Sequence, residues 1–149
     1  MKPIYPLAQA EMLAQVFGAR VVAEFFNIED LMRLAATTAE FAARFPTRPA
    51  GLKYPASEEQ IVDHAAELAV LLAARASRLI PGAECLHRAL AGRVWLARRG
   101  VDAQIVVGFR KRGVIQGHAW LEIATPGGSR CLFKSADDGY RESFREKIA

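Results

Sequence analysis

The stretch Gly82-Ala-Glu-Cys85-Leu-His-Arg-Ala-Leu-Ala-Gly-Arg-Val-Trp-Leu-Ala-Arg-Arg-Gly100 decides how this chain is read, together with AQIVVGF (103–109) and Gly117-His118-Ala119-Trp120 beyond it. Pro81-Gly82 stops whatever precedes, and apolar Leu86, Leu90, Val94 and Trp95 recur at helical spacing, so a helix begins near Glu84 or Cys85 and runs to Arg99. Gly100 serves as its C-terminal cap, and two arginines complement the dipole in its last turn. Cys85 thereby falls in the first turn. There the free backbone N–H groups and the positive end of the dipole favour thiolate over thiol. An imidazole beside such a sulfur can take its proton and return it to a leaving amine, chemistry that needs no metal or cofactor.

After Gly100 the period falls from near 3.6 to 2. Ile105, Val107 and Phe109 alternate along a first strand, 114–123 form a second that carries His118, and Thr125-Pro126-Gly127-Gly128 turns into a third from Ser129 to about Phe133. The tail 138–148 reads as a short helix. Upstream, Pro6 opens a helix to about Phe26, with Leu7, Ala10, Ala14, Phe17, Val21 and Phe25 as its apolar face. Asn27 caps a second helix, with Ile28, Leu31, Leu34, Ala35 and Phe41 on or near one face, and Pro46, Pro49 and Gly51 end it. Ser57-Glu58-Glu59-Gln60 is a capping box for a third helix through Ile61, Leu68, Leu71, Leu72 and Leu79. Helices first and an antiparallel meander second make the fold class α+β.

The 149 residues suit one domain, 1–149, made of a helical part (1–80) and a second part (81–149) with the cysteine-bearing helix and the meander. With 52% hydrophobic and 24% charged residues the composition is that of a globular protein, not a disordered one. No signal peptide or membrane span is legible, so the expected location is cytoplasmic. Cys85 and Cys131 are too few for a disulfide scaffold and are not spaced as a zinc site. The net charge of +4 is dispersed; Arg110-Lys111-Arg112 reads as a solvated turn at Gly113, and no nucleic-acid partner is expected. The N-terminal helices are apolar enough for either an interface or a core.

Cys131, mid-strand, lacks a helix mouth and reads as structural. His87, two residues beyond Cys85, projects roughly 200° around the helix from it, and His64 beside Asp63 and Glu67 reads as a surface residue. A thiol–imidazole pair ordinarily has a third group that fixes the ring. An antiparallel third strand puts Ser135 to Asp137 opposite His118, where Asp137 is the nearest carboxylate and Asp138 the next. Asp137-Asp138-Gly139 also reads simply as a turn and N-cap of the last helix.

The block from Cys85-Leu-His-Arg-Ala-Leu through Leu96-Ala-Arg-Arg-Gly100 and Ile105-Val-Val-Gly-Phe-Arg110 to His118-Ala-Trp-Leu-Glu122 resembles the transglutaminase-like leader peptidases of lasso-peptide biosynthesis, small bacterial thiol proteases. The resemblance implies a transglutaminase/papain-like fold, with Cys85 as nucleophile and His118 as general base, and either an acid displaced to Asp137 or an incomplete triad. It implies a cysteine protease that removes the leader from a ribosomal precursor through a thioester, working with a separate leader-recognition protein and the lasso cyclase. Family members carry their acid near the end of the strand after His-Ala-Trp, where this chain has Lys134-Ser135. The alternatives of other class are a non-catalytic scaffold that binds precursor or partner proteins, and an acyltransferase of the same fold.

Overall fold

The computed structural model describes residues 5–134 and 138–146. Four helices, α1 (Pro6–Val22), α2 (Ile28–Ala42), α3 (Glu58–Leu79) and α4 (Cys85–Arg98), precede four strands, β1 (Ala103–Arg112), β2 (Val114–Thr125), β3 (Gly128–Leu132) and β4 (Arg141–Arg145). The strands form one antiparallel sheet in the order β3-β2-β1-β4. The α+β class expected from the change of period is what forms.

Helix boundaries follow their caps. Asn27 accepts from the Asp30 N–H at 2.9 Å, and Ser57 and Gln60 complete a reciprocal capping box at 3.1 and 2.8 Å. Alanines carry the packing between helices: Ala65, Ala66, Ala69, Ala73 and Ala76 of α3 and Ala89 and Ala91 of α4 are all buried. Small side chains let the helices approach closely, so the alanines act as a packing device. The helix α4 lies among the other three and the sheet and is buried from Ala89 to Leu96. Two buried arginines, one in α4 and one at its C-terminal cap, are paired. Arg93 Nε is 3.1 Å from Glu146 Oε2, and Arg99 Nη2 is 2.6 Å from Glu11 Oε2 while its guanidinium lies 3.7 Å from the Trp95 ring centroid.

Three expectations are corrected. The helix α1 ends at Val22, and it buries Ala8, Met12 and Val16, whereas Leu7, Phe17, Val21 and Phe25 are exposed. The apolar periodicity was real but belongs to the outer face, because the stripe facing alanine-rich α3 and α4 must itself be narrow. The tail is a strand, not a helix: β4 pairs with the outer edge of β1, matching Val107 with Phe144, and Phe144 packs against the core. Alternating charges in Arg141-Glu142-Ser143-Phe144-Arg145 suit an edge strand. His64 is half-buried, its Nε2 2.6 Å from the Ala50 carbonyl, and so ties α3 to the loop after α2.

The sheet has two different sides. Odd-numbered residues Ile105, Val107, Ala119, Leu121 and Ile123 enter the core shared with the helices. Even-numbered Val106, His118 and Trp120 lie on the opposite side, Val106 directly across from Trp120. Gly108 belongs there too: a Cβ on it would lie 2.6 Å from Trp120 Cη2, so its bare backbone makes room for the indole.

Candidate active site

Cys85 is the first residue of α4, half-buried and packed against the core. The turn that carries it is held by His87, whose Nδ1 accepts from the Glu84 N–H at 2.8 Å. This reaches back from the third helical position to the cap as a capping-box glutamine would. An accepting Nδ1 requires a neutral ring protonated at Nε2. Burial, then the Arg20 charge, hold His87 below the usual imidazole range, against an opposite pull from Glu84 and Glu24. His87 is 9% exposed, and it is occupied by the helix end rather than by the sulfur.

His118 sits in β2 with its Nε2 2.6 Å from the backbone oxygen of Phe133. A carbonyl only accepts, so Nε2 carries the hydrogen and Nδ1 is left with its lone pair. The ring is walled by Trp120 (centroids 6.0 Å apart, 25° between planes) and Tyr140 (4.9 Å, 32°). Arg110 lies 4.3 Å from the Tyr140 centroid and donates to the Asp138 carbonyl and to Gln116. Of the basic cluster, then, Arg110 is built into this wall, while Lys111 and Arg112 are exposed at the hairpin tip beside Gly113.

Phe133 explains how its carbonyl reaches the ring. Leu132 points into the core, so a regular strand would send the Phe133 side chain to the His118 side. Phe133 instead has φ 68°, and its ring packs against α4 near Gly92, where a Cβ would lie 3.2 Å from Phe133 Cε2. For a bulky residue that conformation costs on the order of 1–3 kcal/mol, held by the surrounding packing.

The same glycine relates the two candidate residues. A Cβ on Gly92 would lie 3.0 Å from Leu121 Cδ1, and the C-terminal end of α4 feeds β1 at Ala103, which pairs with Ile123. From Gly92, Cys85 lies about 10 Å back along the helix, and from Leu121, His118 lies about 10 Å back along the strand. Cys85 and His118 approach from different sides, since α4 covers the Ala119–Leu121 side and His118 shares the other with Trp120; among the described residues Cys85 Sγ makes no hydrogen bond.

Of the two carboxylates considered as the third group, Asp137 lies outside the described residues. Asp138 is engaged elsewhere: its Oδ1 is 3.1 Å from Lys134 Nζ and accepts from the Tyr140 N–H at 3.0 Å. Burial raises its carboxyl, but the Tyr140 N–H, Lys134 and the nearby His118 outweigh this and leave it below the usual carboxylate value. Cys131 is exposed on the edge strand opposite Glu122; desolvation of its sulfur and the Glu122 charge push the thiol up, the reverse of what a nucleophile needs.

Residues 31–136 match the family model of the Transglutaminase-like superfamily. The chain belongs to the transglutaminase-like superfamily. Cysteine protease and acyltransferase activities are common in that superfamily. The matched span contains Cys85, His118 and Phe133. Searches of the curated proteins and of the solved structures found no match. Among the described residues, no helix of this transglutaminase-like chain is long and apolar enough to cross a membrane.

Sequence reasoning missed Phe133, because a search for the third group by side-chain chemistry does not register a main-chain oxygen. The strand arithmetic came close: every β2–β3 pair sums to 253, which extends to position 135 opposite His118, and the ladder breaks two residues earlier, just after Leu132.

Proposed function

We propose that this transglutaminase-like protein is a cysteine peptidase that removes the leader from a lasso-peptide precursor. Cys85 attacks the last leader carbonyl as thiolate, forming a C–S bond. His118, protonated at Nδ1 by the thiol's hydrogen, gives that proton to the departing core amine as the C–N bond breaks. Water then attacks the thioester, His118 takes its proton, and the leader carboxylic acid leaves as Cys85 regains its charge. The chain works as one domain in the cytoplasm, receives precursor from a separate leader-recognition protein, and delivers core peptide to the cyclase.

The observation that carries this reading is the state of His118: within a superfamily rich in thiol chemistry, its Nε2 is bound to Phe133 and its Nδ1 retains a lone pair. Cys85 stands at the N-terminus of α4. Catalysis on this reading requires Cys85 Sγ and His118 Nδ1 to meet past the end of the β2–β3 ladder, which stops at Leu121 and Leu132.

The purified protein, incubated with a precursor peptide and its leader-binding partner, is expected to release leader and core fragments by mass spectrometry, and Cys85→Ala to release neither. Cleavage that persists undiminished in Cys85→Ala removes the thiol from the mechanism. Binding of precursor without cleavage by either form makes the chain a scaffold, and a mass adduct on added amine makes it an acyltransferase.

A further inference from the structure

We infer that the orienting group of the His118 imidazole is the main-chain carbonyl of Phe133, a positioning residue in place of the acidic side chain ordinarily found third. The inference rests on the peptidase reading for its catalytic meaning, but its geometry stands apart from it.

The His118 Nε2–Phe133 oxygen distance of 2.6 Å is the one hydrogen bond His118 makes among the described residues. A carbonyl acceptor does for tautomer choice what a carboxylate does: it holds the hydrogen on Nε2 and directs the basic lone pair of Nδ1 the other way. It differs in charge. A carboxylate stabilises the imidazolium that forms during thiol deprotonation through a full negative charge, whereas a carbonyl offers only a dipole. The ring held by Phe133 is fixed in orientation with less support for its protonated form.

The local backbone is arranged for this bond. The left-handed φ of Phe133 turns its carbonyl towards His118 while its ring stays anchored over Gly92 of α4, the helix that begins with Cys85. One residue therefore links the histidine strand to the cysteine helix. Among the described residues, Tyr140 and Trp120 lie against the ring, and Asp138, a carboxylate within electrostatic reach, is held by Lys134 and the Tyr140 N–H.

Long-range nitrogen–proton correlation spectra of the ¹⁵N-labelled full chain read the tautomer directly, with His118 assigned by loss of its signals in His118→Gln. The Nε2–H form is expected in the wild type and in both Asp137→Asn and Asp138→Asn. Cleavage of the precursor should fall by less than about threefold in these two variants, against the roughly 10²-fold or more expected where a general base is lost. Phe133→Pro, whose ring forbids positive φ, should lower kcat by about tenfold or more with little change in KM, and Phe133→Gly, which allows it, should retain the Nε2–H form. If Phe133→Pro does not fold, the spectra of the aspartate variants still decide. An Nδ1–H ring in the wild type, or a tautomer that changes in either aspartate variant, overturns the assignment. A wild type that shows the Nε2–H ring but cleaves no precursor refutes the peptidase reading and leaves the positioning role intact.

Discussion

His87 and His118 hold the same tautomer for opposite ends. Each ring carries its hydrogen on Nε2, one because Nδ1 must accept from the Glu84 N–H, the other because Nε2 must donate to the Phe133 carbonyl. In His87 the basic nitrogen is occupied by the end of α4, and the ring is buried and starved of charge. In His118 the basic nitrogen is left over, and the ring stands half-buried between two aromatic walls. The difference teaches that a histidine near a candidate cysteine is sorted by which nitrogen the backbone consumes, more than by its distance along the sequence.

The largest test of that contrast is to remove each ring in turn. On the peptidase reading, His118→Gln should lower precursor cleavage by about 10²-fold or more while melting temperature changes little. His87→Ala should do the reverse. Loss of its cap bond leaves the Glu84 N–H unpaired and opens space in a buried turn, a cost of about 1–2 kcal/mol or more, which for a chain of this size shifts Tm by about 2–4 °C per kcal/mol. Calorimetry and cleavage assays on both variants check it; a His87→Ala protein as stable as wild type breaks the comparison.

A sharper version uses the capping chemistry itself. Gln at the third helical position can accept from the cap N–H with its side-chain oxygen, so His87→Gln should recover most of the stability that His87→Ala loses. It should also change the pH dependence. His87 is held below its ordinary value of 6.5 in the folded state, so the unfolded chain binds the extra proton first and stability falls as pH drops below that value. The pair of Glu11 with Arg98 and Arg99 acts lower. Burial lifts the Glu11 carboxyl, but the two arginines outweigh it, so its contribution is complete above 4.5 and is lost as pH falls below that. Glu146, raised chiefly by burial against the pull of Arg93, works in the opposite sense and gains on acidification. Denaturant midpoints measured between pH 7.5 and 5 should therefore decline in the wild type and decline less, or rise, in His87→Gln. Parallel declines in the two proteins would remove His87 as the cause.

Much of this architecture was legible because local signals agreed with the fold. The capping box at Ser57, the Asn27 cap, the Pro81-Gly82 break before Cys85 and the change of period after Gly100 each act through their own few residues. What sequence missed depended on partners. Phe17, Val21 and Phe25 make a convincing apolar stripe, yet the stripe that packs is Ala8-Met12-Val16, chosen by the small alanines it meets on the neighbouring helices. The tail read as a short helix, yet β1 offered an unpaired edge for it to join. At the candidate site, Cys85 and His118 stood out by residue type and position. The Phe133 oxygen could not, since every residue has one and only the left-handed turn after β3 aims this one at the ring.

The smallest expected effect concerns the other sulfur. Cys131 lies on the edge strand with its thiol held up by desolvation and by Glu122, while Cys85 lies at a helix mouth. Cys131→Ser should therefore leave cleavage unchanged and shift stability by no more than about 0.5 kcal/mol, as for surface positions generally. Alkylation by iodoacetamide gives the finer reading, since the rate follows the thiolate fraction. At pH 7 the fast-reacting cysteine should persist in Cys131→Ser and vanish in Cys85→Ala. The opposite pattern would move the reactive thiol to the open side of the sheet, alongside His118, and the comparison between the two histidines would have to be redrawn around Cys131.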